Sequence, residues 1–99
     1  LLTGGRGSDT LAGGAGTDTA SYSGHAGAIA YHGGTVTDHE GMTDVLTGLE
    51  RFIGTAHADT WNTVAATEWI DGGDGDDIFT ASAGSDTLGG GTGVDSITY

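Results

Sequence analysis

Seven acids fall at one phase of a nine-residue period: Asp9 and Asp18, then Asp59, Glu68, Asp77, Asp86 and Asp95. Two residues after each acid stands an apolar or small residue: Leu11, Ala20, Trp61, Ile70, Phe79, Leu88 and Ile97. In the copies GGRGSDTLA, GGAGTDTAS, GGDGDDIFT and GGTGVDSIT, glycines precede the acid at the first, second and fourth positions. Carboxylates at a regular spacing, each behind a glycine turn that can aim backbone carbonyls at one point, offer a hard oxygen-donor set. That is the chemistry of a cation such as calcium, which takes six to eight oxygens from carboxylates and carbonyls.

The elements that must position these acids follow from the same pattern. Glycines at the three turn positions predict tight turns with positive φ. The acid then leaves the turn and enters a short strand. Side chains alternate along a strand, so the residue two beyond the acid faces inward and its neighbours face out. Each repeat is thus a turn plus a strand too short to persist alone. Stacking pairs the strands and buries a narrow column of the apolar residues. An outward seventh position holds Thr10, Thr19, Thr60, Trp69, Ile78, Thr87 and Ser96.

The 99 residues contain 21 glycines and few large apolar side chains, so the core is thin. Chains of this kind usually need a disulfide or a metal as a staple, and cysteine is absent. Fourteen acids against two arginines and no lysine give a net charge of -12. Without a cation those acids repel one another in a compact state. The acidity excludes a nucleic-acid partner, which requires a basic face. No apolar run reaches membrane-spanning length, and no signal peptide is visible.

One module is expected over residues 1–99, with repeats at 4–21, an irregular segment at 22–53 and repeats at 54–98. Leu1-Leu2-Thr3 looks like the tail of an earlier repeat, so an excerpt of a longer protein is expected. Within the irregular segment, Ala28–Tyr31 and Thr35–Thr37 have strand character. Gly33-Gly34 between them suits a hairpin turn or a solenoid corner. Asp44-Val45-Leu46-Thr47 returns to the acid-x-apolar phrase, and Val45–Phe52 is expected as irregular strand rather than helix because Gly48 interrupts it.

These repeats resemble the RTX, or haemolysin-type calcium-binding, family of secreted bacterial proteins, and the resemblance covers most of the chain. The linking phrases DTASYSG and DVLTGLERFIGTAHAD are similar to the irregular portion of serralysin-type proteases and alginate epimerases. The resemblance implies an all-β fold, a right-handed parallel β-roll with two nonapeptides per turn. It implies calcium between turns two repeats apart, at Asp59/Asp77, Asp77/Asp95 and Glu68/Asp86. The turn residues implied as ligands are Gly4, Gly5, Gly7 and Asp9; Gly13, Gly14, Gly16 and Asp18; Asp59; Gly72, Gly73, Asp74, Gly75 and Asp77; Ala83 and Asp86; and Gly90, Gly91, Gly93 and Asp95. Serralysin-like members use a Glu in a Thr-Ile-Glu phrase to close an ion, and the nearest match is Gly48-Leu49-Glu50. Of the acids in the irregular segment, Asp38, Glu40, Asp44 and Glu50, it is Glu50, with the carbonyl of Gly48, that is therefore expected to close an ion held by Asp18 or Asp9, the other reading being an exposed Glu50–Arg51 pair.

The functional expectation is a non-enzymatic calcium-binding module of a secreted protein, attached to other domains and folding on calcium binding outside the cell after type I secretion. The alternative is an accessory polysaccharide-binding module, because outward aromatics can contact sugars, whereas the outward mixture of Thr, Trp and Ile is too irregular for an ice-binding threonine ladder. A disordered acidic linker does not account for the fixed phase of Trp, Ile, Phe, Leu and Ile. His25, His32 and His39 are spaced by seven, which alternates faces along a strand and so argues for surface or turn positions rather than zinc. No nucleophile arrangement, paired-carboxylate pocket or phosphate loop is visible, and a narrow solenoid is expected to offer little concave volume.

Overall fold

The computed structural model describes residues 2–3, 7–62, 69–80 and 87–98. Eleven short strands form in order: β1 (Thr10–Ala12), β2 (Thr19–Ser21), β3 (Ala30–His32), β4 (Thr35–Thr37), β5 (Thr43–Thr47), β6 (Arg51–Ile53), β7 (Thr60–Asn62), β8 (Trp69–Asp71), β9 (Ile78–Thr80), β10 (Thr87–Gly89) and β11 (Ser96–Thr98). No helix forms among the described residues, so none is long and apolar enough to cross a membrane.

The strands make two sheets. One has the order β1-β5-β4-β3-β7-β9-β11 and the other β10-β8-β6-β2, with Leu2 bridging to Ala20 at its end. Strands two repeats apart pair in parallel and in phase: Trp61 lies beside Phe79, Phe79 beside Ile97, and Ile70 beside Leu88. A nine-residue period divided into turn and strand sends alternate repeats to alternate sheets, and equal repeat lengths keep the register. The pairing is parallel except at the β3–β4 hairpin, turned at Gly33-Gly34 (φ 43° and 104°), which wedges into the longer sheet with antiparallel pairing on β5. The glycine pair thus makes a hairpin rather than a corner.

The eighth position of the repeat faces inward as expected. Leu11, Ala20, Trp61, Ile70 and Phe79 are buried, and the irregular segment adds Tyr22, Ile29, Tyr31, Val36, Leu46 and Phe52. Trp61 and Phe79 stack with ring centroids 6.5 Å apart and planes 11° apart, while Tyr31 packs against both Phe52 and Trp61. Leu88 is half-buried and Ile97 is 43% exposed on β10 and β11, the last strands of the two sheets. The seventh position faces out, leaving Trp69 and Ile78 exposed.

Candidate metal centre

The turns divide the labour among their glycines. The second and fourth positions are left-handed in each described copy: Gly14 and Gly16, Gly73 and Gly75, Gly91 and Gly93, with Gly7 at the fourth position of the first copy. These conformations strongly favour glycine. The first glycine does not use that freedom: Gly13, Gly72 and Gly90 are not left-handed. A Cβ at any of the three would overlap the carboxylate of the acid five residues later, Asp18, Asp77 or Asp95. The turn therefore folds its own acid back onto the first Cα.

Successive turns sit on one another's carbonyls. A side chain at Gly73 would overlap the Thr55 carbonyl, one at Gly75 the His57 carbonyl, one at Gly91 the Gly73 carbonyl and one at Gly93 the Gly75 carbonyl. Carbonyl oxygens and carboxylates thus converge in the gap between stacked turns.

The acids form ladders through the backbone. The Asp59 amide donates to Asp77 Oδ1 (2.8 Å), and the Asp77 amide donates to Asp95 Oδ1 (2.9 Å). On the other side of the hairpin, the Asp9 amide donates to Asp44 Oδ1 (2.7 Å) and the Asp18 amide to Glu50 Oε2 (2.9 Å). The expected closing residue Glu50 therefore lies against the turn of Asp18. Gly48 stacks over the same turn, its carbonyl where a Cβ on Gly13 would be. The Asp9 amide meets Asp44 instead, an acid at the phase of the repeat that the sequence reading sets aside in favour of Glu50, and both Asp44 oxygens accept from protein donors. Its signal was the Asp44-Val45-Leu46 phrase: Asp44 and Leu46 are both buried on the same face of β5.

The oxygens left over discriminate among these acids. Asp9 Oδ2, Asp18 Oδ2 and Asp77 Oδ2 are buried without a hydrogen-bond partner. An unpaired buried carboxylate oxygen is costly. Burial accordingly pushes the Asp77 carboxyl up to about 7, with the neighbouring Asp59, Asp95 and Asp76 adding to the rise. These orphaned oxygens, beside glycine turns that leave room and carbonyls that point inward, fit a hard oxygen-seeking cation. Asp59 differs. Its Oδ1 accepts from the Ile29 amide (2.9 Å) and the Thr55 hydroxyl (2.8 Å), and its Oδ2 accepts from the Thr55 amide (2.7 Å). Burial raises its carboxyl, and those donors oppose the rise.

Other expected positions can be placed. Asp74 accepts from the Thr92 hydroxyl of the next turn at the surface. Gly4, Gly5, Glu68, Ala83 and Asp86 lie outside the described residues. Arg51 spreads over the Trp69 ring, 5.4 Å from its centroid, while Glu50 engages Asp18. His32 bonds Asn62, His25 packs near Tyr22 and His39 lies over Gly27. Among the described residues no three His, Cys, Asp or Glu side chains converge as a metal site. The expectation of little concave volume is corrected by a depression of about 550 Å³ lined by His25, Asp38, His39 and Glu40 among others. Asp38 there is engaged in its own turn, accepting from the Glu40 and Met42 amides.

A family model described as the RTX calcium-binding nonapeptide repeat, in four copies, matches residues 1–21 and 63–97, more than half of the chain. No curated protein matches it.

Proposed function

The chain belongs to the RTX calcium-binding nonapeptide repeat family, and from that premise we propose that it is a non-enzymatic β-roll module of an exported protein that completes its fold on binding calcium. The coil is right-handed with two nonapeptides per turn, and the ions lie between turns two repeats apart. The observation that carries this reading is Asp77 Oδ2, buried and unpaired beside Gly72. Asp77 and Asp95, with the turn carbonyls of Gly73 and Gly75, would hold one ion. Asp18 and Glu50, with the carbonyl of Gly48, would hold another. Calcium, when bound, would supply positive charge and coordination to oxygens that protein donors leave unmatched.

The chain's own residues set the conditions for that binding. Glycines clear the space, the ladder amides orient one oxygen of each acid, and the apolar column keeps the turns in register. With a net charge of -12 and a thin core, the low calcium of a cytosol leaves the repeats repelling one another, which suits passage through a type I export channel. Millimolar external calcium then drives closure. Circular dichroism and thermal melting in calcium and in excess chelator test this: calcium should add strand signal and raise the melting midpoint. Identical spectra and midpoints in both would overturn it.

A second reading is favoured by the Arg51–Trp69 pair on the outer face of the shorter sheet. A guanidinium beside an exposed indole suits an acidic polysaccharide, the cation meeting a carboxylate and the ring a sugar face. Retention on immobilised uronate polymers, lost in Trp69→Ala, would support an accessory glycan-binding role. Absence of retention on a broad panel would leave the scaffold reading alone.

A further inference from the structure

We propose that the two acids flanking the hairpin, Asp44 and Asp59, are closed by protein donors rather than by a cation, so that the middle of the module is a metal-free junction between two calcium-dependent ends. This rests on the calcium reading only for the contrast with the ends.

In the described rungs of the ladder the sixth-position amide donates to the acid of the next coil. At the rung below Asp59 that amide belongs to Ile29, an apolar residue where an acid would otherwise stand. One carboxylate therefore faces that gap instead of two. The turn of Asp59 also redirects its donors. Its second position is Thr55 rather than glycine, and both the Thr55 amide and hydroxyl point at Asp59. In the following coil the equivalent amide, Gly73, donates instead to Asp71 and leaves Asp77 Oδ2 unpaired. Asp59 thus takes three donors where Asp77 takes one. Hydrogen bonds to an ionised acceptor are about twice as strong as neutral ones, so three of them replace much of what a cation offers.

Asp44 is treated in the same way from the same loop. One oxygen accepts from the Asp9 amide and the other from the Tyr22 hydroxyl at 2.9 Å. Tyr22 and Ile29 bracket the connection from β2 to β3, so a single eight-residue loop supplies a donor to the acid on each side of the hairpin. Tyr31, Val36, Phe52 and Trp61, on the strands of the hairpin and its neighbours, belong to the same buried cluster.

Two measurements on the whole chain test the junction. Calcium stoichiometry by native mass spectrometry should drop by at least one ion in Asp77→Asn and stay at the wild-type number in Asp59→Asn and Asp44→Asn. Because either of the last two variants can fail to fold, hydrogen exchange of the wild type is measured in excess chelator. Amides of β3, β4 and β7 should remain slowed at least about tenfold over an unstructured chain, while those of β9 and β11 exchange freely. An ion lost in Asp59→Asn, or protection that vanishes equally across all strands, overturns the proposal. A wild type that binds no calcium defeats the module reading instead, and the junction is then decided by exchange alone.

Discussion

The coils from Gly72 onward and the segment from Tyr22 to Ile53 bury the same kinds of group by opposite means. The repeats place Phe79 and Asp77 on one inward face, repeat the phrase, and leave a carboxylate oxygen unmatched. The irregular segment buries Tyr31, Val36, Leu46 and Asp44, yet both Asp44 oxygens are bonded within the protein. Periodicity gives a stack that can be extended indefinitely but needs an outside charge. Irregularity gives up extension and gains self-sufficiency. The difference teaches that an acid's phase in a repeat does not by itself make it a ligand; the donors of its own turn decide.

Replacing the ring shared by both regions should have the largest effect. Trp61 packs between Tyr31 of the hairpin and Phe79 of the next coil. Trp61→Ala should lower stability in calcium by about 3–5 kcal/mol, as for large buried aromatics, read from urea unfolding. A loss below about 1 kcal/mol would mean that the two regions are energetically separate.

The next test separates them by pH. Asp77, raised to about 7 from an ordinary 3.8, holds its proton more tightly folded than unfolded. Its contribution in chelator is therefore most favourable below about pH 4, is lost as pH rises towards about 7, and is flat above. Protection of the β9 amides in chelator, absent at neutral pH, should therefore grow as pH falls across that window, and Asp77→Asn should remove that pH dependence. In excess calcium the slope should reverse, because the cation needs the ionised form.

A smaller change should touch only the irregular side. Tyr22→Phe removes one donor from buried Asp44 and should destabilise by about 1–3 kcal/mol. The loss should be alike in calcium and in chelator, as seen by hydrogen exchange of β4 and β5. A loss confined to calcium would place an ion at Asp44. The smallest effect belongs to the outer face: Trp69→Ala removes an exposed ring under Arg51 and should change stability by less than about 1 kcal/mol, measured by thermal melting.

Much of this arrangement was legible in the residues. A fixed phase over five copies leaves one choice of inward side chain, so Trp61, Ile70 and Phe79 could be placed without coordinates. What escaped depends on contacts between distant parts of the chain. Gly72 looked like a turn glycine of the same kind as Gly73, but its constraint is the Asp77 carboxylate lying on it. Gly33-Gly34 serves a corner and a hairpin equally well, and only the pairing of β4 with β5 decides. Glu50 was placed with either of two acids because the short Gly48–Glu50 turn hides the register, which the pairing of Arg51 with Thr19 fixes. Thr55 stands at the second position of its repeat, where the complete copies have glycine. Its hydroxyl reaching the acid four residues on is a local bond, but nothing in the composition of GTAHADTWN distinguishes it from decay.

The hairpin has a consequence for the path of the molecule. Between β1 and β7 one sheet interposes β5, β4 and β3, whereas between β2 and β8 the other interposes only β6. Neighbouring strands are about 4.8 Å apart, so one wall is longer than its opposite by about 10 Å over that interval. Walls of unequal length cannot stay parallel, and the solenoid axis must turn towards the shorter sheet. Regular coils on either side would then run in different directions, as the two arms of an elbow. A repeat array carrying this segment gains a corner at a defined place, set by the number of strands inserted rather than by a flexible link.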